Sequence, residues 1–471
     1  MTDRAAERGP RTTGLDLHLG RLDRNVRACL MDAVRDAIRA GRLAPGARLP
    51  SSRALAADLR VARNTVVRVY SELISEGWLT GLQGSGTEVS ERVAEFVGER
   101  ARPRPADTRS RPGHDLRPGH PDLSSFPRDE WIRAVKKTVG TAPFEAFGYA
   151  DPRGRGELRD TLARYLARAR GLRAHAGDVV VCSGAAEGLR FVAAALAATG
   201  VTRVAVEEFD LPSQRRTLAD AGLETVPLGV DAGGVDPSVL ERSSGIGAVL
   251  LTPSHQFPLG VALRYDRRAA IVEWACRHGA LVIEDDYDGE FRYDRSPVGA
   301  LQGLDRDHVL YLGTASKSLA PGLRLGWLVV PDRLVDVITA QKGDTEETVG
   351  FVNQLAMTEF VQSGAYDRHI RAMRAQYRRR RRHLVETLAE RAPKVRVAGR
   401  AAGLHVLLEQ PGRTGRELVR RIAAEQLTVE PLSFFRHPDA TSDRDGVVIG
   451  FAAPSPSGWS GVLDALVRAL A

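Results

Sequence analysis

Apolar and polar positions alternate along this chain with two different periods. Over residues 21–90 the apolar residues recur every three to four positions, which predicts amphipathic helices separated by turns. The predicted elements are helices over Asn25–Ala40, from Ser51 or Ser52 to about Leu59, and over Arg63–Glu76, then a strand from Gly77, a tip at Gly84-Ser85-Gly86-Thr87 and a return through Glu88-Val89. Three helices followed by a hairpin is the winged helix-turn-helix order.

From residue 128 onward, short apolar runs alternate with helical patterns. Predicted strands are Val179–Cys182, Val204–Glu207, Ala248–Thr252, Leu281–Glu284, Val309–Leu312, Leu325–Val330 and, last, Val447–Phe451. Strands that are separated by helices predict an α/β fold with a mainly parallel sheet. Near the end of the chain, the pattern also predicts a helix over Ile370–Leu388.

Between these two regions, residues 91–127 are rich in Pro and Arg and poor in apolar residues. Such a composition predicts an extended linker, and residues 1–20 have the character of a polar arm. The predicted organisation is therefore a small domain over residues 21–90, a linker over 91–127 and a large domain over 128–471.

Composition narrows the classes of protein to consider. The 471 residues, 43% of them hydrophobic, can fill more than one core. Of a net charge of +8, most lies in residues 1–112, which hold 20 arginines, no lysine and 14 acidic residues. This excess fits an anionic partner.

Cysteine usage and hydropathy bear on the compartment. The three cysteines, Cys29, Cys182 and Cys276, form no CxxC pair, so neither a disulfide framework nor a metal site is predicted. A reducing, cytoplasmic location follows from this usage. No signal peptide is predicted, and the longest apolar run, near Phe191–Ala198, is far shorter than a membrane span.

The third predicted helix would enter a DNA major groove by its N-terminal end. Candidate DNA contacts are Arg63, Asn64, Thr65 and Arg68 on this helix, Arg53 near the start of the second helix, and Gly84 and Gly86 at the hairpin tip. Arginine donors can contact phosphates or base edges, and glycines allow close approach to a groove. The alternative is a small helical domain with solvated arginines.

A different chemistry is indicated at Gly313–Lys317, with Arg324 seven residues further on. The Lys317 amine can condense with an aldehyde, and Thr314, Ser316 and Arg324 can bind a phosphate. Pyridoxal 5′-phosphate (PLP) requires both. The alternative for Lys317 is a solvated surface lysine.

Two upstream segments complete such a site. Asp285 and Tyr287 lie two residues apart at a strand end, so they share one face toward the carboxyl edge of the sheet. Their carboxylate and phenol can bond a pyridine nitrogen and a ring hydroxyl. Ser183-Gly184-Ala185 follows a strand and precedes a helix, which is typical of a phosphate cradle. A solvated acidic loop and an ordinary turn are the alternatives.

The amino-acid sequences of these motifs resemble those of a known family. Leu49–Ala56, Val61–Val66 and Gly84–Thr87 together resemble the GntR-type regulators. With the downstream segments, residues 20–460 resemble the MocR family, in which a GntR-type winged helix is fused to a domain like the fold-type-I aminotransferases. The segments that carry this resemblance are Leu116–Leu123, Gly148–Gly154, Thr252–Pro258, Glu284–Asp288, Phe291–Tyr293 and Gly313–Lys317.

The resemblance implies roles for single residues. Lys317 looks like the lysine that binds PLP covalently, Asp285 like the partner of the pyridine nitrogen and Tyr287 like the partner of the ring hydroxyl. His255 stands where aminotransferases often carry Asn, and Tyr149 resembles a phosphate ligand donated across a dimer interface. The family further implies a head-to-tail homodimer, operator DNA as partner, and a small amine or amino acid as a further ligand.

Two departures from the family pattern bear on catalysis. Leu211 stands where an aromatic residue usually stacks on the cofactor, with Phe209 as a candidate substitute. The strand Val447–Phe451 lacks the arginine that clamps a substrate carboxylate, and Arg444 is the nearest candidate. These features favour a ligand-responsive regulator over an aminotransferase with an auxiliary N-terminal domain. A third hypothesis is a DNA-binding protein whose large domain is only a dimerisation scaffold.

One further basic segment, Arg378–Arg382, invites a nucleic-acid interpretation. Five consecutive arginines on a helix point in all directions around it. This arrangement favours a solvated surface with salt bridges.

Overall fold

The computed structural model describes residues 26–82, 86–91, 114–149, 151–293, 299–343 and 349–471. The chain divides into two compact units, residues 1–110 and 111–471. The predicted arm and Gly84 lie outside the described residues. None of the described helices combines the length and apolar character that a bilayer crossing needs.

The described residues of the N-terminal unit form three helices and a hairpin, as the pattern predicts. Its elements are α1 (Val26–Arg39), α2 (Ser52–Leu59), α3 (Arg63–Ser75), β1 (Leu79–Leu82) and β2 (Gly86–Val89), the two strands being antiparallel. Ser51, rather than Ser52, caps α2 by accepting a hydrogen bond from the Ala54 N–H at 3.2 Å. The apolar stripe of α3 packs with that of α1 into one core, in which Val66 and Leu30 are fully buried.

The large unit is built on a seven-stranded sheet in the order β4-β12-β11-β10-β9-β5-β6. Its strands are β4 (Val179–Cys182), β5 (Arg203–Glu207), β6 (Glu224–Leu228), β9 (Ile246–Leu251), β10 (Leu281–Asp285), β11 (Val309–Thr314) and β12 (Gly326–Val329). Only β12 among these runs antiparallel to its neighbours. The mainly parallel α/β sheet predicted from the sequence is therefore confirmed.

Helices cover both faces of this sheet. The helices of the large unit are α4 (Arg128–Thr141), α5 (Gly156–Arg170), α6 (Ala185–Ala198), α7 (Pro212–Asp220), α8 (Ser238–Arg242), α9 (Tyr265–His278), α10 (Asp332–Ala340), α11 (Phe351–Gln362), α12 (Ala365–Arg391), α13 (Gly415–Ala424) and α14 (Trp459–Leu470). Adjacent strand residues face opposite sides, so Val180 packs in one core with α6 and Val181 in another with α5. Both faces are thereby buried, which explains the continuous apolar runs of the strands.

A second, antiparallel sheet lies near the C-terminus. It contains β13 (Arg396–Ala398), β14 (His405–Glu409), β16 (Glu430–Pro431) and β17 (Val447–Gly450), in the order β13-β14-β17-β16. Two-stranded sheets are formed by β7 (Val230–Asp231) with β8 (Gly234–Val235), and by β3 (His114–Asp115) with β15 (Leu427–Thr428).

The pairing of β3 changes the expected domain boundary. Residues 114–127 were assigned to the linker, but the structure places them in the large unit, which begins at residue 111. The Leu116 N–H donates to the Thr428 carbonyl at 2.8 Å, and the Leu116 side chain is buried. The strand β3 has only two residues and pairs with β15 more than 300 positions further along the chain, so it leaves no local sequence pattern. The linker was therefore predicted from the Pro-rich composition alone.

The arginine run on α12 is not uniformly solvated. Arg380 is buried and bonds the Asp122 carboxylate at 2.9 Å and the Ala452 carbonyl at 2.6 Å. Arg378, Arg379 and Arg382 are exposed, as expected. One residue of the run therefore ties the helix to the segment around Asp122.

Candidate functional site

A cavity of about 300 Å³ opens at the carboxyl ends of the parallel strands of the large unit. Eight of the predicted cofactor residues line it: Gly184, Ala185, Asp285, Tyr287, Thr314, Ser316, Lys317 and Arg324. They come from the segments that follow β4, β10 and β11, which meet at one edge of the sheet. Sequence reasoning therefore brought together residues that are up to 140 positions apart in the chain.

Lys317 follows β11 and turns its amine into the cavity. Its Nζ donates to the Gly119 carbonyl oxygen at 2.7 Å. Gly119 has φ +89°, and a Cβ there would lie 3.2 Å from Nζ, so a glycine leaves room for the amine. Burial lowers the pKa of Lys317, against the opposing effect of Asp285 and Asp288. A lowered pKa favours the neutral, nucleophilic amine.

Asp285 ends β10 and presents one unsatisfied oxygen. Oδ2 accepts a hydrogen bond from Gln214 Nε2 at 2.6 Å, whereas the buried Oδ1 has no hydrogen-bond partner in the described part of the chain. Burial raises the pKa of Asp285 to about 7, although the Gln214 hydrogen bond opposes this. A buried acceptor without a donor is unfavourable. The protonated nitrogen of a pyridine ring supplies the missing donor, so this residue fits PLP.

The opposite end of the cavity is suited to a phosphate. Gly184, with φ +123°, precedes the first turn of α6, whose free N–H groups and dipole attract anions. The guanidinium of Arg324 is close by, since a Cβ on Gly184 would lie 3.4 Å from its Nη1. Thr314 Oγ1 lies 2.9 Å from Ser316 Oγ. Ser183 does not line the cavity, and its N–H donates to Glu187 at 2.6 Å.

His255 lies behind the cavity wall rather than on it. It is buried, and its Nδ1 lies 2.9 Å from Asp288 Oδ2 and 3.2 Å from the Tyr287 hydroxyl. The Tyr287 hydroxyl donates to the His255 carbonyl oxygen at 3.0 Å. His255 is therefore placed to orient Tyr287, which does line the cavity.

The structure decides between the two candidates for the stacking position. Leu211 lines the cavity and is 36% exposed, whereas Phe209 is fully buried beneath the Arg436 guanidinium. Phe257, which the sequence analysis did not single out, lines the cavity and makes an edge contact with the ring of Tyr287. The aromatic residues among the described lining are thus Phe257 and Tyr287.

Neither Arg444 nor Tyr149 reaches this cavity within one chain. Arg444 is engaged by Glu409 at 2.6 Å, and Tyr149 is 91% exposed. Among the described residues that line the cavity, Arg324 is the single arginine. The described lining therefore offers no second guanidinium for a substrate carboxylate.

Several lining residues escaped sequence reasoning. They are Pro118, Gly119, Ala186, Ser213, Gln214, Thr252, Phe257 and Pro321. Gln214 is the most informative, because its amide fixes Asp285. Four of them, Pro118, Gly119, Thr252 and Phe257, lie in segments that carry the family resemblance, which was the signal that could have marked them.

The N-terminal unit displays the predicted DNA-contacting residues on its surface. Arg53, Arg63 and Arg68 are exposed, and no ion pair engages them in the described part of the unit. In contrast, Arg27 bonds Glu72 on α3, and Arg35 bonds Glu76 at the C-terminal cap of that helix. Arg53 and Arg63 at the start of α2 and α3, and Arg68 further along α3, thus differ from the arginines of α1 that pair with carboxylates.

Three further predicted contacts, Asn64, Thr65 and Gly86, lie among the described residues of this unit. Asn64 is exposed and Thr65 half-buried in the first turn of α3. Gly86 begins β2 with φ +113°, a conformation that favours glycine.

Comparison with known proteins covers both units. Residues 28–89 match the family described as bacterial regulatory proteins of the gntR family, and residues 118–444 match aminotransferase class I and II. The fold of the large unit is similar to an archaeal alanine:glyoxylate aminotransferase, with a TM-score of 0.70 and 22% identity over 76% of this chain and 90% of that one. Aminotransferases of this fold typically bind PLP.

Full-length relatives are regulators. The chain is 33% identical to the pyridoxine biosynthesis transcriptional regulator PdxR of Corynebacterium glutamicum, over 90% of this chain and 91% of that protein. It is 31% identical to the probable rhizopine catabolism regulatory protein MocR of Rhizobium meliloti, over 91% and 90% of the two chains. This protein therefore belongs to the MocR/GntR family of helix-turn-helix transcriptional regulators with an aminotransferase-like domain.

Proposed function

We propose that this regulator binds PLP at Lys317 and that occupancy of the cavity controls its binding to operator DNA. The single observation that carries the proposal is the buried Oδ1 of Asp285, which lacks a donor in the described chain and faces the same cavity as the Lys317 amine. A pyridine nitrogen and an aldehyde on one ring satisfy both groups at once.

Each residue has a defined task in this proposal. Lys317 supplies the nucleophilic amine, Asp285 holds the pyridine nitrogen protonated, and Tyr287 bonds the ring hydroxyl. The N-terminus of α6 and Arg324 bind the phosphate. When bound, PLP supplies a reactive aldehyde and an electron-withdrawing ring.

The regulatory ligand is PLP itself or a small amine. The described cavity lining has no second arginine to clamp a carboxylate, which disfavours tight selection of amino acids. The relative that is named as a regulator of pyridoxine biosynthesis supports PLP as the signal.

DNA binding is assigned to the unpaired arginines of the N-terminal unit, with α3 in the major groove. A head-to-tail homodimer would present two such units to a repeated operator. Exposure of Phe144, Phe147 and Tyr149, at 92%, 53% and 91%, supports a partner surface in this segment.

The test is a visible spectrum of the purified full-length protein with added PLP. A yellow band is expected, and borohydride should fix the linkage on Lys317 in a peptide map. Lys317→Ala should lose the band, and Lys136→Ala, at an exposed lysine of α4, should keep it. A fixed adduct on another lysine would refute the assignment.

A second candidate function is transamination, which the joint presence of Lys317, Asp285 and Tyr287 favours. Transaminases must pin the substrate so that its Cα–H bond stands perpendicular to the ring, and a displacement of about 1 Å can lower a rate on the order of a hundredfold. We expect no steady turnover with common amino acids and 2-oxo acids. Multiple turnovers at about one per second or faster would establish the enzyme instead.

A further inference from the structure

Three potential metal ligands converge on the surface of the large unit, away from the cofactor cavity. They are Cys276 in the last turn of α9 and Asp305 and His308 in the turn that leads into β11. Cys276 is exposed, and about a quarter of the Asp305 and His308 side chains is accessible. The proposal made above uses none of them.

The spacing of the three donor atoms matches a tetrahedral zinc site. Cys276 Sγ lies 3.0 Å from Asp305 Oδ2 and 3.4 Å from His308 Nδ1, and those two atoms are 3.2 Å apart. Tetrahedral zinc with bond lengths of about 2.3 Å to sulfur and about 2.0–2.1 Å to nitrogen and oxygen separates its ligands by roughly 3.3–3.6 Å. The observed triangle is therefore close to the size that the ion requires.

Surrounding hydrogen bonds hold the triangle in place before any ion binds. Asp305 Oδ1 accepts the N–H groups of Asp307 and His308 at 2.7 and 2.9 Å, so Oδ2 is directed toward the thiol. The Val282 N–H donates to the His308 carbonyl oxygen at 2.8 Å, which attaches the turn to β10. Such outer contacts are what orient ligands in metal sites.

Charge and access also favour a cation. Glu273 is exposed one turn before Cys276 on α9, so a further carboxylate lies near the three donors. Binding would replace the thiol proton, which leaves to solvent, by a sulfur–zinc bond. The exposed face leaves the fourth position for water or for Glu273.

We propose that Cys276, Asp305 and His308 form a surface site for Zn²⁺ or a similar thiophilic divalent ion. The cysteine spacing gave no sign of it, because two of the ligands are not cysteines and lie 29 and 32 positions from Cys276. The site lies at the start of β11, whereas Lys317 follows its end. The six residues of this strand separate the two sites by roughly 20 Å.

Cobalt provides a direct test on tag-free, full-length protein after chelator treatment. One equivalent of Co²⁺ should give the visible bands of a tetrahedral ion and a thiolate charge-transfer band. Cys276→Ser should abolish the charge-transfer band, and His308→Gln should weaken binding by at least the roughly 10–100-fold that loss of an outer-shell partner causes. Cys29→Ser, at an exposed cysteine of the other unit, is the matched control and should bind as wild type.

A second measurement needs no variant. Zn²⁺ should slow alkylation of Cys276 in the wild-type protein, while alkylation of Cys29 continues at its original rate. Equal alkylation of both cysteines at saturating Zn²⁺, or an octahedral Co²⁺ spectrum without the thiolate band, would overturn the site. Neither result depends on PLP binding.

Discussion

The buried carboxyl group of Asp285 is energetically unfavourable without a ligand, and a bound pyridine ring would supply its missing hydrogen-bond donor. Its pKa is raised to about 7 by burial, so the folded, PLP-free protein resists its ionisation. An unfolded aspartate has a pKa of about 3.9. A carboxyl group whose folded pKa is raised stabilises the protein fully at low pH, and this contribution is lost as the pH rises toward 7.

Asp285→Asn should therefore stabilise the PLP-free protein at about pH 8 by roughly 1–3 kcal/mol. The gain should vanish below about pH 4, where the wild-type carboxyl group is protonated in both states. The upper limit of roughly 4 kcal/mol from the pKa shift is reduced because the amide leaves a buried polar group unpaired. Thermal or urea unfolding across this pH range measures the effect.

Asp122→Asn is the matched contrast to that variant. Although burial alone would raise the pKa of Asp122, hydrogen bonds from Ser124 and the charge of Arg380 lower it. Its replacement should destabilise the protein at neutral pH, where the carboxylate is paired. Equal effects of the two variants on stability at about pH 8 would refute the role of burial at Asp285.

Leu211 permits a second test at the level of one side chain. Leu211 lines the cavity at the position where the family resemblance implies a stacking aromatic residue, so Leu211→Phe should strengthen PLP binding by about 0.5–1.5 kcal/mol. Absorbance titration with PLP measures the change. Leu304→Phe, at an exposed leucine elsewhere, should bind as wild type. Unchanged affinity in Leu211→Phe would mean that this position does not face the ring.

At the scale of elements, strong periodicity made the strands and helices predictable. β4 was predicted with its observed bounds, and α3 differs from its prediction by one residue. Strands β6 and β14, of five residues each, were not predicted, and neither were the shorter β13 and β16, which contain three and two residues and depend on partners far along the chain. Gln214 was missed for a related reason, since its role arises only where α7 meets the end of β10.

The N-terminal turn of α3 makes a prediction about DNA. Arg63→Ala should weaken operator binding by about 1–3 kcal/mol if the guanidinium contacts a base edge. If it contacts only phosphate, binding to all DNA sequences should weaken equally. The slope of the logarithm of the binding constant against the logarithm of salt concentration should then become shallower by roughly one unit. Titrations at several salt concentrations distinguish these outcomes.

Arg35→Ala supplies the control for that experiment, because Arg35 is already bonded to Glu76. It should leave the salt dependence of DNA binding unchanged. Unaltered binding by Arg63→Ala at every salt concentration would remove Arg63 from the interface.

At the scale of the whole molecule, a homodimer should complete each cofactor site. Tyr149→Phe should weaken PLP binding if its hydroxyl bonds the phosphate of the neighbouring subunit. Mixing subunits that carry Lys317→Ala with subunits that carry Tyr149→Phe should then restore one fully formed site per mixed dimer. Light scattering of the mixture measures whether the subunits form dimers, and PLP titration measures how many sites bind PLP. A stable monomer that binds PLP as tightly as wild type would contradict this prediction.

The hydrogen bond from the Lys317 amine to the Gly119 carbonyl oxygen should depend on whether that amine has reacted with an aldehyde. An ammonium group has three N–H donors, but a lysine nitrogen committed to an aldehyde carbon loses most of them. The Gly119 carbonyl would then lose its 2.7 Å partner. Gly119 lies five residues after β3 begins, in the segment through which the large unit continues toward the DNA-binding unit. PLP binding should therefore loosen the backbone around residues 116–121, and amide hydrogen exchange there should become faster when PLP is added. The Lys317→Ala variant should not show this change on addition of PLP.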